Sequence, residues 1–177
     1  KNLITTSIEH KAVLDAATSI KNNKTIYIKP NKFGQVTSEQ IESNIDKNTK
    51  IVSVISTNNE IGTDNNLKKI LEILPDEVVF HTDATQSLTH KKNHLDEIGL
   101  FDERVDMISV SAHKFHGPKG IGLLIANKTT QDKLFPIIHG GNHERGLRSG
   151  TLNVPGIVGF AEALRIQNEC KVSVEKL

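Results

Sequence analysis

The stretch Val105–Gly122, VDMISVSAHKFHGPKGIG, sets an apolar run of strand type directly against a loop carrying a serine, two histidines, two lysines and three glycines. Its first part, Val105–Val110, reads as a strand, and Ile121–Ile125 (IGLLI) as another. Working outward, the same alternation recurs. Ile51–Ile55 (IVSVI) is a continuous β-branched run that suits a strand buried on both faces. Leu67–Leu74 (LKKILEIL) is apolar at i, i+3, i+4 and i+7, the stripe of an amphipathic helix. Leu3–Thr6, Thr25–Ile28 and Val78–Phe80 complete the strands. His10–Ile20, a helix capped at Ser38 and running to Ile45, and Pro155–Gln167 complete the helices. Strands alternating with helices imply βαβ units: an α/β fold with a mostly parallel sheet flanked by helices on both faces. In such sheets ligands sit beyond the carboxyl ends of the strands.

Composition narrows the classes of function. The chain has 177 residues, and its 22 Lys+Arg against 21 Asp+Glu give a formal net charge of +1. No basic excess exists to neutralise phosphates, which argues against a nucleic-acid binder. A single cysteine excludes an internal disulfide framework and fits a reducing, cytoplasmic setting. No apolar run approaches the ~20 residues that span a bilayer, so no membrane role is expected. The length suits one domain, taken here as residues 1–177.

The residues able to carry chemistry fall after the strands. Lys114 follows a buried strand; desolvation there would lower its pKa and free the amine to attack a carbonyl. The alternative is a solvated loop lysine. Asp83 ends the strand in HTDATQ (His81–Gln86), where a buried carboxylate requires a positive partner such as a pyridinium nitrogen, or else caps the segment after it. Gln86 and Asn59 can donate to a ring oxygen, or hold turns. His10 opens a helix right after a strand and either lies over a flat ring or satisfies a helix start. Ser111 and His113 can contact a phosphate or bond within their loop. The stretch Gly140–Thr151 (GGNHERGLRSGT), with Arg145 and Arg148, is either an anion cradle or a glycine-rich surface loop. Neither P-loop nor G-x-G-x-x-G spacing is present, and HExxH is absent, so no metal ligands are nominated among the 8 histidines. Cys170, placed in a last helical segment Gln167–Lys171, is not nominated as a nucleophile.

Together, EHKAVLDA (Glu9–Ala16), NNEIG (Asn58–Gly62), HTDATQ, the Val105–Gly122 stretch and GGNHERGLRSGTLNVPGIVGF (Gly140–Phe160) resemble the cysteine desulfurases of the NifS/IscS type. These belong to the class V aminotransferases, pyridoxal 5'-phosphate enzymes of fold-type I. The resemblance implies that Lys114 carries the cofactor covalently and moves the substrate α-proton. Asp83 would pair with the pyridinium nitrogen, and His10 would stack on the ring and assist proton transfer. Asn59 and Gln86 would address the ring and its oxygen, Ser111 and His113 would hold the phosphate, and Thr151 would reach the phosphate of a partner subunit in a homodimer. The implied reaction takes sulfur from L-cysteine, leaving L-alanine and an enzyme persulfide that passes to a sulfur-acceptor protein such as an iron–sulfur scaffold. Another class V aminotransferase, a selenocysteine lyase and a non-catalytic scaffold of the same fold are the competing readings.

The chain departs from that pattern in places. Family members are longer, so this chain is expected to be the large cofactor-binding domain. A glycine/threonine phosphate loop in front of it is expected to lie elsewhere, as is a small domain behind it with the catalytic cysteine and substrate-carboxylate arginine. Alone, it is expected not to desulfurate cysteine. Asn142 stands where the family has a third glycine, and the connection Asn93–Glu103 looks slightly long.

Overall fold

A computed structural model describes residues 1–90 and 92–169. The strands are β1 (Asn2–Thr6), β2 (Lys24–Ile28), β3 (Thr49–Ser53), β4 (Val79–Asp83), β5 (Met107–Ser111) and β6 (Gly122–Ala126). The helices are α1 (Lys11–Ser19), α2 (Ser38–Glu42), α3 (Leu67–Glu72), α4 (Lys92–Ile98), α5 (Lys128–Gln131) and α6 (Val154–Glu169). The sheet order is β2-β1-β3-β4-β5-β6. Every neighbouring pair is parallel except β5 with β6, which is antiparallel. The expected mostly parallel α/β sheet is therefore present. The chain leaves β1 toward β2 and returns to β3 on β1's other side. This reversal opens a crevice at the carboxyl ends of β1 and β3, the place where open α/β sheets bind ligands.

Period-two alternation splits the sheet into two unlike faces. Ile4, Val52, Phe80 and Ile108 point into a core completed by Ile41 of α2, Leu67, Ile70 and Leu71 of α3, Leu95 and Ile98 of α4, and Phe160 and Ala163 of α6. Leu3 and Ile51, paired across β1 and β3, and His81 and Met107, paired across β4 and β5, line an open cavity on the opposite face together with α1. The expectation that IVSVI is buried on both faces holds for Val52, Ser53, Val54 and Ile55 and is corrected at Ile51. Ile51 is 36% exposed because α1 covers that face only in part, whereas Val52 beside it is fully buried. The Ile121–Ile125 strand likewise forms an edge whose Leu123, Leu124 and Ile125 are exposed.

Local chemistry sets the element ends. Thr37, not Ser38, caps α2: its hydroxyl accepts from Gln40 N (3.4 Å) while Gln40 Oε1 accepts from Thr37 N (3.0 Å). That reciprocal box favours the residue one position earlier than the expected cap. The long connection after β4 contains α4, whose Leu95 and Ile98 at i, i+3 spacing enter the core. The helical placement expected for Cys170 lies outside the described residues.

Candidate active site

Four strand ends build one cavity of about 540 Å³. β1 leads through Glu9 to His10, which caps α1 by accepting at Nδ1 from Ala12 N (3.2 Å). β3 leads to Asn58 and Asn59. Asn58 fixes this loop: its Nδ2 donates to Ile8 O (2.7 Å), and its Oδ1 accepts from Glu60 N (2.8 Å) and Ile61 N (2.9 Å). β4 ends on Asp83, with Gln86 in the turn after it. β5 ends on Ser111, followed by a single 3₁₀ turn, Ala112–Phe115, that carries His113 and Lys114. The chain doubles back at once, because Gly117 lies against Ala112; a Cβ at Gly117 would meet Ala112 Cβ at 2.8 Å and its carbonyl oxygen at 2.9 Å. That close approach requires glycine in the HGPKG loop.

His10, Asn59, Asp83, Gln86, Ser111, His113 and Lys114 all line this cavity. Thr151 does not; it is exposed on the loop that precedes α6. Arg145, offered as part of an anion cradle, instead donates from Nη1 to Gln131 Oε1 (2.6 Å), and neither it nor Arg148 lines the cavity. The loop takes left-handed backbone at Asn142 (φ 56°), Glu144 and Arg145. Asparagine tolerates that conformation better than most residues, which accounts for its standing where a glycine is usual.

The exposure of Lys114 departs from the expectation, while Ser111 and His113 make the loop bond offered as one of their alternatives. Lys114 is exposed at the cavity's mouth rather than desolvated, because the 3₁₀ turn buries its neighbour Phe115 instead. Ser111 Oγ is 3.0 Å from His113 Nδ1, so these two groups are hydrogen-bonded to each other while facing the cavity. Asp83 is 8% exposed and makes the turn contact offered as one of its alternatives. Its Oδ1 accepts from Thr85 N (2.9 Å), closing the turn, while the side chain also lines the cavity.

The sequence reading assigned no role to the groups beneath these residues. Glu9 is 6% exposed; its Oε1 accepts from Thr6 Oγ1 (2.9 Å) and Ile55 N (2.7 Å), and its Oε2 has no partner among the described residues. Burial pushes its carboxyl up to about 8, against its two hydrogen bonds and with a smaller contribution from the negative charge of Asp83. A carboxyl raised to about 8 favours the protonated form near neutral pH. His81 lies between Ser53 Oγ and Ser109 Oγ, 2.8 Å from each. Burial holds its pKa below the usual histidine range, outweighing the pull of Asp83. A neutral ring has one N–H, so it donates to one serine and accepts from the other. The available signal was a glutamate between a β-branched strand and a helix start, and a histidine two residues before the strand-end aspartate.

The aminotransferase class-V family profile matches residues 1–176. The chain belongs to that family. It is 44% identical over 172 residues to cysteine desulfurase IscS of Histophilus somni (strain 2336), covering 96% of this chain and 41% of that protein. Among solved structures, a NifS-like protein superposes with a TM-score of 0.85 at 41% identity, over 96% of this chain and 46% of that one. SspA in complex with cysteine gives 0.83 at 37% identity, over 93% and 47%. The chain thus spans about two-fifths of the length of the curated relatives it matches. Its sheet and flanking helices have the fold of these enzymes, as expected from the sequence. No helix among the described residues is long and apolar enough to cross a membrane.

Proposed function

We propose that the protein is a pyridoxal 5'-phosphate-dependent cysteine desulfurase and that this chain is its large, cofactor-binding domain. One observation carries the reading. Asp83 is a buried carboxylate with no cationic side chain paired to it among the described residues, and it opens into a cavity that also holds Lys114. A buried anion without a counter-charge is costly, and a protonated ring nitrogen supplies the missing charge. The other lining groups suit the rest of that cofactor. His10 offers a flat ring, Asn59 and Gln86 offer amides for its oxygen, and Ser111 and His113 offer short donors for its phosphate. The names of the relatives favour sulfur transfer over other class V chemistry.

When bound, the cofactor supplies an electron sink for charge developing at the substrate α-carbon. The chain's own residues then have distinct tasks. Lys114 Nζ, at the cavity's mouth, would hold the cofactor covalently and would serve as the base for the α-proton of L-cysteine. Asp83 holds the proton on the ring nitrogen. The hydrogen-bonded turn at Thr85 fixes its carboxylate, so no reorientation is needed as charge develops. His10, capped onto α1, holds the ring flat and is in position to assist proton transfer. The substrate sulfur goes to a thiol, which becomes a persulfide, while the substrate carbon takes a proton to give L-alanine. No residue of this chain is assigned the thiol's role. The persulfide passes to an acceptor protein such as an iron–sulfur scaffold in the cytoplasm. Exposed Leu152, Val154 and Val158 flank Thr151 and support a second copy docking there, with Thr151 serving that copy's phosphate.

Borohydride reduction in the presence of pyridoxal phosphate, followed by intact mass and peptide mapping of the full protein, tests this. One cofactor mass on Lys114 is expected. Labelling elsewhere, or none, overturns the reading.

A further inference from the structure

The fold gathers three metal-ligating side chains outside the cavity lining, although the sequence nominated none of the histidines as ligands. Asp64, His90 and His94 place one ligand atom each within 4.8 Å of one another. Asp64 ends the loop that begins with Asn58 and Asn59 and closes by a Thr57–Asp64 bridge. His90 ends the 3₁₀ turn after Gln86, and His94 lies in α4. His94 Nε2 is 2.8 Å from Asp64 Oδ2, and the rings of His90 and His94 are 4.7 Å apart between centroids.

The geometry points to a divalent-cation site of the zinc class, with His90, His94 and Asp64 as protein ligands and a fourth position open to water. Two imidazoles and one carboxylate are a borderline donor set that suits Zn²⁺ and not the hard, all-oxygen preference of Ca²⁺ or Mg²⁺. Donors at about 2.0–2.2 Å from one tetrahedral ion lie roughly 3.3–3.5 Å apart. The pair already at 2.8 Å brackets that spacing from below, and the exposed His90 ring closes the remainder by rotating about its side-chain bonds.

The support behind the carboxylate is what distinguishes this cluster from three neighbouring surface groups. Thr57 Oγ1 donates to Asp64 Oδ1 (2.5 Å), leaving Oδ2 aimed at His94. Ser87 Oγ donates in turn to Thr57 Oγ1 (2.8 Å), and Ser56 hydrogen-bonds both Ser87 and the carbonyl oxygen of Asp83. Thr57, Ser56 and Ser87 are all buried. A hydrogen-bonded carboxylate held in one orientation is the arrangement that tunes metal ligands. A bound cation takes the place of the direct His94–Asp64 hydrogen bond. Its structural effect is to tie the loop bearing Asn59 to the turn bearing Gln86.

The test is titration of the tag-free, metal-stripped full protein with Zn²⁺ by calorimetry, with Co²⁺ as the visible-absorption probe of a tetrahedral site. One saturable equivalent is expected. His90→Ala, on an exposed side chain, and Asp64→Asn, which keeps an acceptor for Thr57, are each expected to weaken it at least tenfold. The metal-free melting temperature of His90→Ala is expected to match that of the parent. The absence of a saturable micromolar site overturns the proposal, as does a site whose affinity is unchanged in His90→Ala.

Discussion

Two isoleucines on adjacent strands of one sheet lead different lives. Ile4 of β1 is fully buried against Val52 and the helices beyond it, while Ile51 of β3, one residue along and facing the other way, is 36% exposed in the cavity. The difference separates two jobs. The face under α2, α3, α4 and α6 is apolar, closed and responsible for stability. The face under α1 interleaves Leu3, Ile51 and Met107 with Ser53, His81 and Asp83, and keeps open the space that chemistry needs.

If that division holds, the largest effects on function come from positions that cost no stability. Lys114→Ala is expected to abolish borohydride-fixed cofactor and reduce sulfur release from L-cysteine to background in the full protein. Its unfolding free energy should stay within about 0.5 kcal/mol of the parent, since the side chain is exposed. Loss of folding together with activity would show that the lysine belongs to the structural half after all.

Ile4→Ala probes the closed face. Removing a fully buried isoleucine side chain from a packed core costs about 2–5 kcal/mol, read by urea denaturation. A loss below about 1 kcal/mol would mean that the core relaxes around β1 and is not a rigid layer.

Glu9 belongs to neither face cleanly, and its titration sharpens the contrast. Its folded pKa of about 8 lies above the usual 4.5, so between those values the folded state holds a proton that the unfolded chain has released. Stability therefore falls as pH rises from about 4.5 to 8, with full cost above 8. Glu9→Gln, a neutral mimic of the protonated acid, is expected to remove that slope. The cofactor-free variant should match the parent near pH 4.5 and exceed it by a few kcal/mol near pH 8, measured by denaturant midpoints across pH. A parallel pH profile in the two proteins would show that Glu9 is already ionised in the fold.

How far this division was legible in the sequence follows from its physical causes. Strand existence and most of the cavity lining were readable, because continuous β-branched runs and the polar residues that terminate them are local signals. IVSVI failed on burial at Ile51 alone, because a run of apolar residues does not say how far along its second face a helix reaches; that depends on the placement of α1. α4 escaped notice because its two core residues are interrupted by Asp96 and Glu97, which face outward. The protonated Glu9, the serine-bridged His81 and the Asp64–His90–His94 cluster depend on contacts between strands or loops distant in sequence, which spacing alone does not encode. Lys114 lines the cavity as a residue after a strand end should, but the desolvation expected of it is absent, since one 3₁₀ turn decides whether a lysine or the phenylalanine after it turns inward.

The smallest effect discriminates best. Ile51→Ala removes the same atoms as Ile4→Ala, but from a wall that is already open, so no new enclosed void is created and only part of the transfer free energy is lost. About 1 kcal/mol is expected, with cofactor trapping on Lys114 unchanged, because Ile51 lies a full two residues before the strand end where the polar groups gather. Equal costs at Ile4 and Ile51 would mean that the cavity face is covered as tightly as the core face in the folded protein. The space assigned to the cofactor would then have to be made by displacing whatever covers it, and Lys114 would need an opening step before it could react.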